Sequence, residues 1–151
     1  MKIKIVRKSF ASLDYKFVGF APKNLEDGML YISIDYATAL HKCCCGCGVE
    51  VVTPLKPTDW KLVFDGKTVS LYPSIGNWSL PCRSHYWIYE NEVLWASQWT
   101  EEQIATGRLR RRYLKKYWEI FGTLPEMDDE IPLRIRRKTR WWKCLTFWKE
   151  S

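Results

Sequence analysis

The order of apolar and polar residues predicts a series of short strands followed by one helix. Aromatic and β-branched residues recur in short runs, several of which alternate with polar side chains as half-buried strands do. The predicted strands are residues 2–7, 15–20, 30–34, 49–53, 60–64, 68–72, 84–89 and 93–96. Asp65-Gly66 and Glu90-Asn91-Glu92 separate strands that are close in sequence, so both predict hairpins. Residues 74–81 have neither strand nor helix period and are expected to form an irregular loop.

The helix is predicted from about residue 101 to 121. Thr100 and Gln103 have the spacing of a capping box, and Gly122 is a natural stop. Apolar residues recur at helical spacing along it: Leu109, Tyr113, Tyr117 and Ile120. The fold class predicted is therefore mainly β (α+β). A small β domain covers residues 1–100, and a basic helical and aromatic extension, residues 101–151, packs on it.

Composition fits a folded protein, and the basic charge is concentrated near the C-terminus. The hydrophobic fraction is 46%, and nine tryptophans indicate an aromatic core or binding surface. The net charge is +7, to which residues 101–151 contribute +5. No apolar run reaches the roughly 18 residues that span a bilayer, so no membrane partner is expected. No signal peptide is evident at the N-terminus, which predicts a cytoplasmic, reducing location.

The most distinctive segment is His41-Lys-Cys-Cys-Cys-Gly-Cys-Gly48, which holds four of the six cysteines. Thiolates this close repel each other unless a cation holds them, and the usual cation is zinc. Reduced or disulfide-bonded structural cysteines are the alternative, although neighbouring cysteines bridge each other poorly. A fourth ligand is expected from elsewhere. Cys82 is the first candidate, with His85 and His41 in reserve, whereas Cys144 is expected to be a buried thiol.

Residues 41–95 resemble a bacterial family of small proteins encoded beside ubiquitin-like proteins and relatives of ubiquitin-activating and ubiquitin-conjugating enzymes. The resemblance rests on residues 41–48, Trp60, residues 70–75, residues 82–88 and Trp95. The family usually has proline where this chain has Cys44. This departure implies that Cys44 is not a ligand, and it leaves a structural zinc held by four thiolates: Cys43, Cys45, Cys47 and Cys82.

The resemblance implies a peptidase that processes or removes a ubiquitin-like modifier, with antiphage defence as its setting. Its expected partners are the ubiquitin-like protein and the activating-like or conjugating-like enzymes. A closed zinc shell has no open position, so catalysis would need side chains. Ser74 and Ser84 are candidate nucleophiles, and His85 is the candidate base. A Ser74–His85 dyad oriented by Asp59 or Asp65 is preferred, with backbone N–H groups of residues 75–77 for the oxyanion.

Three other functions stay open at this point. A zinc-stabilised β domain with a basic helix could be a non-catalytic module that docks a ubiquitin-like protein or a conjugation enzyme. Basic residues in 108–116 and 134–143, with Trp141 and Trp142, could instead bind nucleic acid. If His85 were a zinc ligand beside an open position, a metallopeptidase would be possible, although the chain has no His-Glu-x-x-His motif.

Overall fold

The computed structural model describes residues 9–126, and within them eight strands precede one helix. The bounds are β1 Asp14–Phe17, β2 Met29–Ser33, β3 Thr38–Lys42, β4 Glu50–Pro54, β5 Lys61–Phe64, β6 Val69–Gly76, β7 His85–Tyr89, β8 Glu92–Trp95 and α1 Glu101–Phe121. The mainly β fold class is thereby confirmed. Strand β3 was not predicted from the sequence. The strand predicted at residues 2–7, Cys144 and the basic segment 134–143 lie outside the described residues.

The strands form two sheets of four, each in chain order. In the first sheet β1 runs parallel to β2, and β2, β3 and β4 are antiparallel. The second sheet, β5 to β8, is antiparallel throughout. Buried side chains from both sheets, such as Ile32, Ala39, Leu71 and Ile88, belong to a single apolar cluster. The core is therefore shared between the two sheets, and each sheet contributes one apolar face to it.

The β5–β6 hairpin forms where Asp65-Gly66 predicted it. The Asp65 carboxylate accepts hydrogen bonds from the backbone N–H of Lys67 at 2.8 Å and from the Thr68 hydroxyl at 2.7 Å. Gly66 has φ of 90°, a conformation that side chains disfavour. These hydrogen bonds hold the pKa of Asp65 below its usual value, chiefly through the Thr68 backbone. Asp65 is thus a turn residue.

Strand β6 continues past its predicted end, because it crosses an irregularity. Leu71 lies opposite Ile88 and Ile75 lies opposite Tyr86, so residues 72–74 face only one residue of β7. The extra residues form a bulge, which removes the alternation that identifies a strand in sequence. Residues 74–76, predicted to be loop, are therefore the last part of β6. Ser74 lies at the bulge.

Helix α1 has the predicted caps but a different packed face. Thr100 and Gln103 form the capping box, and Gly122 closes the helix in the left-handed conformation. Ile104 is the buried residue of the helix, and Arg111 and Lys115 lie 3.9 and 3.5 Å from the Asp59 carboxylate. The apolar residues at helical spacing, Leu109, Tyr113 and Ile120, are more than half exposed. Among the described residues, no helix is long and apolar enough to span a membrane.

Candidate active site and metal centre

Strands β6 and β7 bring Ser74 and His85 into hydrogen-bond contact. His85 lies opposite Gly76 in the ladder, and Ser74 is two residues before Gly76, so Ser74 and His85 share one face of the sheet. The Ser74 Oγ is 2.9 Å from His85 Nε2. This is the distance at which an imidazole can remove a hydroxyl proton. The separation along the chain is 11 residues.

The other ring nitrogen of His85 has a backbone partner. Nδ1 lies 2.6 Å from the carbonyl oxygen of Ser97, just beyond β8. A carbonyl only accepts hydrogen bonds, so Nδ1 carries the proton and Nε2 presents its lone pair to the Ser74 hydroxyl. The expectation of an orienting carboxylate was wrong: Asp59 pairs with Arg111 and Lys115, and Asp65 caps the β5–β6 turn.

Two tryptophans cover the His85 ring. The ring centroids of Trp78 and Trp99 lie 4.9 and 5.1 Å from that of His85, and the two indoles stack on each other. His85 is 4% exposed as a result. Burial lowers the pKa of His85, against a smaller opposing effect from the Ser97 carbonyl. The imidazole is therefore neutral at pH 7, as a general base must be.

Gly76 makes this arrangement possible. A Cβ at position 76 would point to the same face as His85 and would lie 2.6 Å from Cε2 of the Trp78 indole. The absent side chain lets the indole rest directly on the strand beside His85. Helix α1 packs closely against the other tryptophan, Trp99, at Gly107. A Cβ at Gly107 would lie 3.0 Å from Cζ3 of Trp99.

One expected oxyanion donor is already occupied. The Asn77 backbone N–H donates to the carbonyl of Ser84 at 2.8 Å. It serves the β6–β7 ladder and is not available to a substrate. Asn77 is thereby excluded as an oxyanion donor. Ile75 lies opposite Tyr86 in the same ladder, so Gly76 is the position of the three whose N–H is not directed at β7.

Four cysteines meet on the opposite side of β7. The thiol sulfurs of Cys43, Cys45, Cys47 and Cys82 all lie within 4.8 Å of one another and could hold a metal ion. The first three follow β3 in the first sheet, and Cys82 precedes β7 in the second. A shared ion would therefore join the two sheets. His85 and His41 are not in this group.

The thiol geometry fits a tetrahedral zinc ion. Zinc–sulfur bonds of about 2.3 Å place the sulfurs of a regular tetrahedron about 3.8 Å apart. The Cys43 sulfur lies 3.8 Å from that of Cys82 and 3.4 Å from that of Cys45. Gly46 and Gly48 have positive φ, so the backbone turns back and lets sulfurs two residues apart converge.

Ser84 belongs to the thiol cluster. Its Oγ lies 3.0 Å from the Cys43 sulfur and accepts a hydrogen bond of 2.9 Å from the Asn77 side chain. Ser84 directly precedes β7 and continues its ladder through the Asn77 hydrogen bond, and adjacent residues of extended backbone point to opposite faces. Ser84 therefore faces the cysteines while His85 faces Ser74. The structure thus brings together Ser74 and His85 but not Ser84 and His85.

Cys44 and His41 lie in the core behind the cluster. The Cys44 thiol is fully buried, and burial raises its pKa to about 12. His41 Nε2 lies 2.8 Å from the hydroxyl of Tyr86, and burial lowers the pKa of His41 to about 4. Both residues are uncharged packing groups at neutral pH.

Comparison with known proteins identifies the family. The model of the BubE family, described as a bacterial ubiquitination-like system serine protease, matches residues 17–96, just over half of the chain. The chain belongs to the BubE family. No curated protein and no solved structure gives a significant match. The resemblance inferred from residues 41–95 is confirmed.

The BubE match spans both clusters but ends before two groups at the His85 ring. Ser74, His85 and all four clustered cysteines lie within residues 17–96, whereas Ser97 and Trp99 follow them. Sequence reasoning missed both groups. A backbone carbonyl has no side-chain signature, so Ser97 gave no signal. Trp99 offered one, since an apolar residue directly before a helix cap often packs inward as a hydrophobic staple.

Proposed function

We propose that this BubE-family protein is a serine peptidase that cleaves the chain next to the C-terminal end of a ubiquitin-like modifier. The observation that carries the proposal is the 2.9 Å contact between Ser74 Oγ and His85 Nε2, with Nδ1 held by Ser97. The family description, a serine protease of a bacterial ubiquitination-like system, supports both the nucleophile type and the setting.

The first half of the reaction forms an acyl-enzyme. The Ser74 oxygen attacks the scissile carbonyl carbon while its proton passes to His85 Nε2. Collapse of the tetrahedral intermediate breaks the C–N bond, and the imidazolium gives that proton to the leaving amine. In the second half, His85 takes a proton from water, hydroxide attacks the ester, and the proton returns to Ser74. The Ser97 carbonyl keeps the ring in one tautomer throughout.

The four thiols have a structural role in this proposal. Cys43, Cys45, Cys47 and Cys82 would hold a zinc ion that stabilises the fold and joins the sheets. Ser84 links this centre to β7, one residue before His85. The metal centre therefore supports the strand that positions the base, from the face opposite the reaction.

The test is whether the protein cleaves the precursor of the ubiquitin-like protein that is encoded beside it. Cleavage is detected by intact mass spectrometry. Ser74→Ala and His85→Gln should each lower the rate by several orders of magnitude without changing metal content or melting temperature. Ser84→Ala is the matched control. It removes a buried hydroxyl directly before β7 that contacts Cys43 and not His85, so it should leave the rate within a few-fold. A fluorophosphonate should label the wild-type protein at Ser74.

Four outcomes would contradict the proposal. Cleavage that persists in Ser74→Ala would exclude that nucleophile, and loss in Ser84→Ala alone would move the role to Ser84. Loss of metal in His85→Gln would make His85 a ligand. If the precursor binds tightly but is not cleaved, the protein is a docking module of the modification pathway rather than a peptidase.

A further inference from the structure

The edge of β6 next to Ser74 has no neighbouring strand among the described residues. Strand β5 pairs with β6 from Phe64 opposite Val69 to Lys61 opposite Tyr72, and the pairing ends there. Residues 73–76 continue the strand with β7 on one side only. Pro73 and Gly76 are exposed. Within residues 9–126, the sheet therefore has a short open edge, four residues long, at the candidate nucleophile.

The ladder shows which way the backbone groups of Gly76 point. The Asn77 N–H donates to the Ser84 carbonyl, so Asn77 and Ser84 form a hydrogen-bonded pair. Such pairs alternate with pairs that exchange no hydrogen bonds, which makes Gly76 and His85 one of the latter. The N–H and C=O of Gly76 consequently point away from β7, toward the open edge.

The other side of His85 supports this alternation. The His85 carbonyl accepts a hydrogen bond of 2.9 Å from the N–H of Ala96, so it points away from β6. Gly76 and His85 thus turn their backbone groups in opposite directions. The outward-facing N–H and C=O of Gly76 are one hydrogen-bond donor and one acceptor, and they lie about 7 Å along the strand from Ser74.

We infer that the substrate binds as an added strand on this edge, paired through the backbone of Gly76. A strand added there would lie about 4.8 Å from β6, close enough to place a peptide carbonyl beside Ser74 Oγ. Backbone pairing requires free N–H and C=O groups. The substrate is therefore an extended, unstructured peptide segment, such as a tail, and not a folded surface.

This inference rests on the proposed function and identifies the class of substrate for that site. Open edges normally risk pairing with other chains, and proteins limit the risk with short strands and proline. Pro73 has no N–H and the edge is short, so only a chain aligned with Gly76 gains both hydrogen bonds. The edge is restricted in the way a selective substrate site requires.

The experiment measures amide hydrogen exchange by NMR in the full-length Ser74→Ala protein. The probe is a synthetic peptide copying the C-terminal tail of the neighbouring ubiquitin-like precursor across the cleavage site, at saturating concentration. Exchange at the Gly76 amide should slow by about 10-fold or more, because peptide pairing protects it. The Asn77 amide, already bonded to Ser84, is the internal control and should change little. An unprotected Gly76 amide overturns the inference.

A kinetic experiment tests the same contact in the wild-type protein. In a series of peptides, each backbone N–H except that of the scissile bond is replaced in turn by an ester oxygen. The replacement opposite Gly76 should lower kcat/KM by about 5–10-fold, which corresponds to the loss of one hydrogen bond. The other replacements should lower kcat/KM by less. A flat series overturns edge pairing.

The two failures are distinguishable. Cleavage of the peptide with an unprotected Gly76 amide would leave the peptidase proposal intact and remove the edge pairing. Protection of the Gly76 amide without cleavage by the wild-type protein would support edge pairing and contradict the peptidase proposal. A peptide that is cleaved by the wild-type protein but produces no spectral change in Ser74→Ala at saturation also counts against edge pairing.

Discussion

Replacing Cys82 by serine should separate the metal centre from the second sheet. Cys82 is the one cysteine of the cluster that comes from the β6–β7 connection, while the other three follow β3. Cys82→Ser therefore removes the thiolate through which a bound metal would be attached to the second sheet, and it leaves the rest of the thiol set. Cys44→Ser is the matched control, because Cys44 is adjacent to the ligands in sequence but points into the core.

The size of the effect follows from the number of ligands. Structural zinc contributes about 10–16 kcal/mol in small zinc peptides, which is about 3 kcal/mol for each of four ligands. Losing one ligand should weaken zinc binding on the order of 100-fold and lower the melting temperature by about 10 °C. Cys44→Ser places a hydroxyl in an apolar site, which costs about 1–2 kcal/mol, with unchanged zinc affinity.

The assays are elemental analysis of protein purified without added metal, competition with a chromophoric chelator, and thermal unfolding. Wild type and Cys44→Ser should each retain one zinc ion with the same affinity, and Cys82→Ser should lose it to the chelator. Equal zinc affinity in Cys82→Ser and wild type would refute the four-thiolate site. Loss of zinc in Cys44→Ser would show that the ligand set is wrong.

Three further predictions concern the base, the helix and the C-terminal extension. Because burial lowers the pKa of His85, kcat/KM should fall at acid pH with a midpoint below pH 6.5. Trp99→Ala should admit water to the His85 ring and move that midpoint upward. Metal content is measured at each pH as a control. An unchanged midpoint would argue against the tryptophan cover. Thr100→Ala removes the cap of α1 and should cost about 1 kcal/mol in thermal unfolding, whereas Thr123→Ala beyond the helix should cost little. Limited proteolysis should cut first within residues 125–132, and an earlier cut within 43–95 would contradict the division at residue 100.

Several features could be read from the sequence because they depend on neighbouring residues. The Asp65-Gly66 turn, the Thr100 cap and the Gly122 stop each involve groups within a few positions, and the structure has all three. The density of thiols at residues 43–47 indicated a metal site for the same reason. The choice of Cys82 as fourth ligand and of Ser74 over Ser84 relied on the family resemblance and on strand alternation.

The bulge and the exposed face of α1 were beyond local patterns. A bulge disrupts the alternation by which a strand is recognised, so residues 74–76 looked like loop. Leu109, Tyr113 and Ile120 have helical spacing, but spacing does not say which face meets the protein. The ion pairs of Arg111 and Lys115 with Asp59 decide that, and they join residues more than 50 positions apart.

By itself, the sequence determined seven of the eight described strands, the helix, the local turns and caps, and the set of thiols near residue 45, because short-range backbone chemistry specifies each of them. Strand β3, which pairs with β2 and β4, was not predicted. Only the tertiary structure decided that β7 separates two sites, with Ser84 facing the thiols and His85 facing Ser74. It also decided that the Ser97 carbonyl orients the imidazole. The physical reason is that strand pairing sets which side chains share a face, and pairing is a property of the folded sheets.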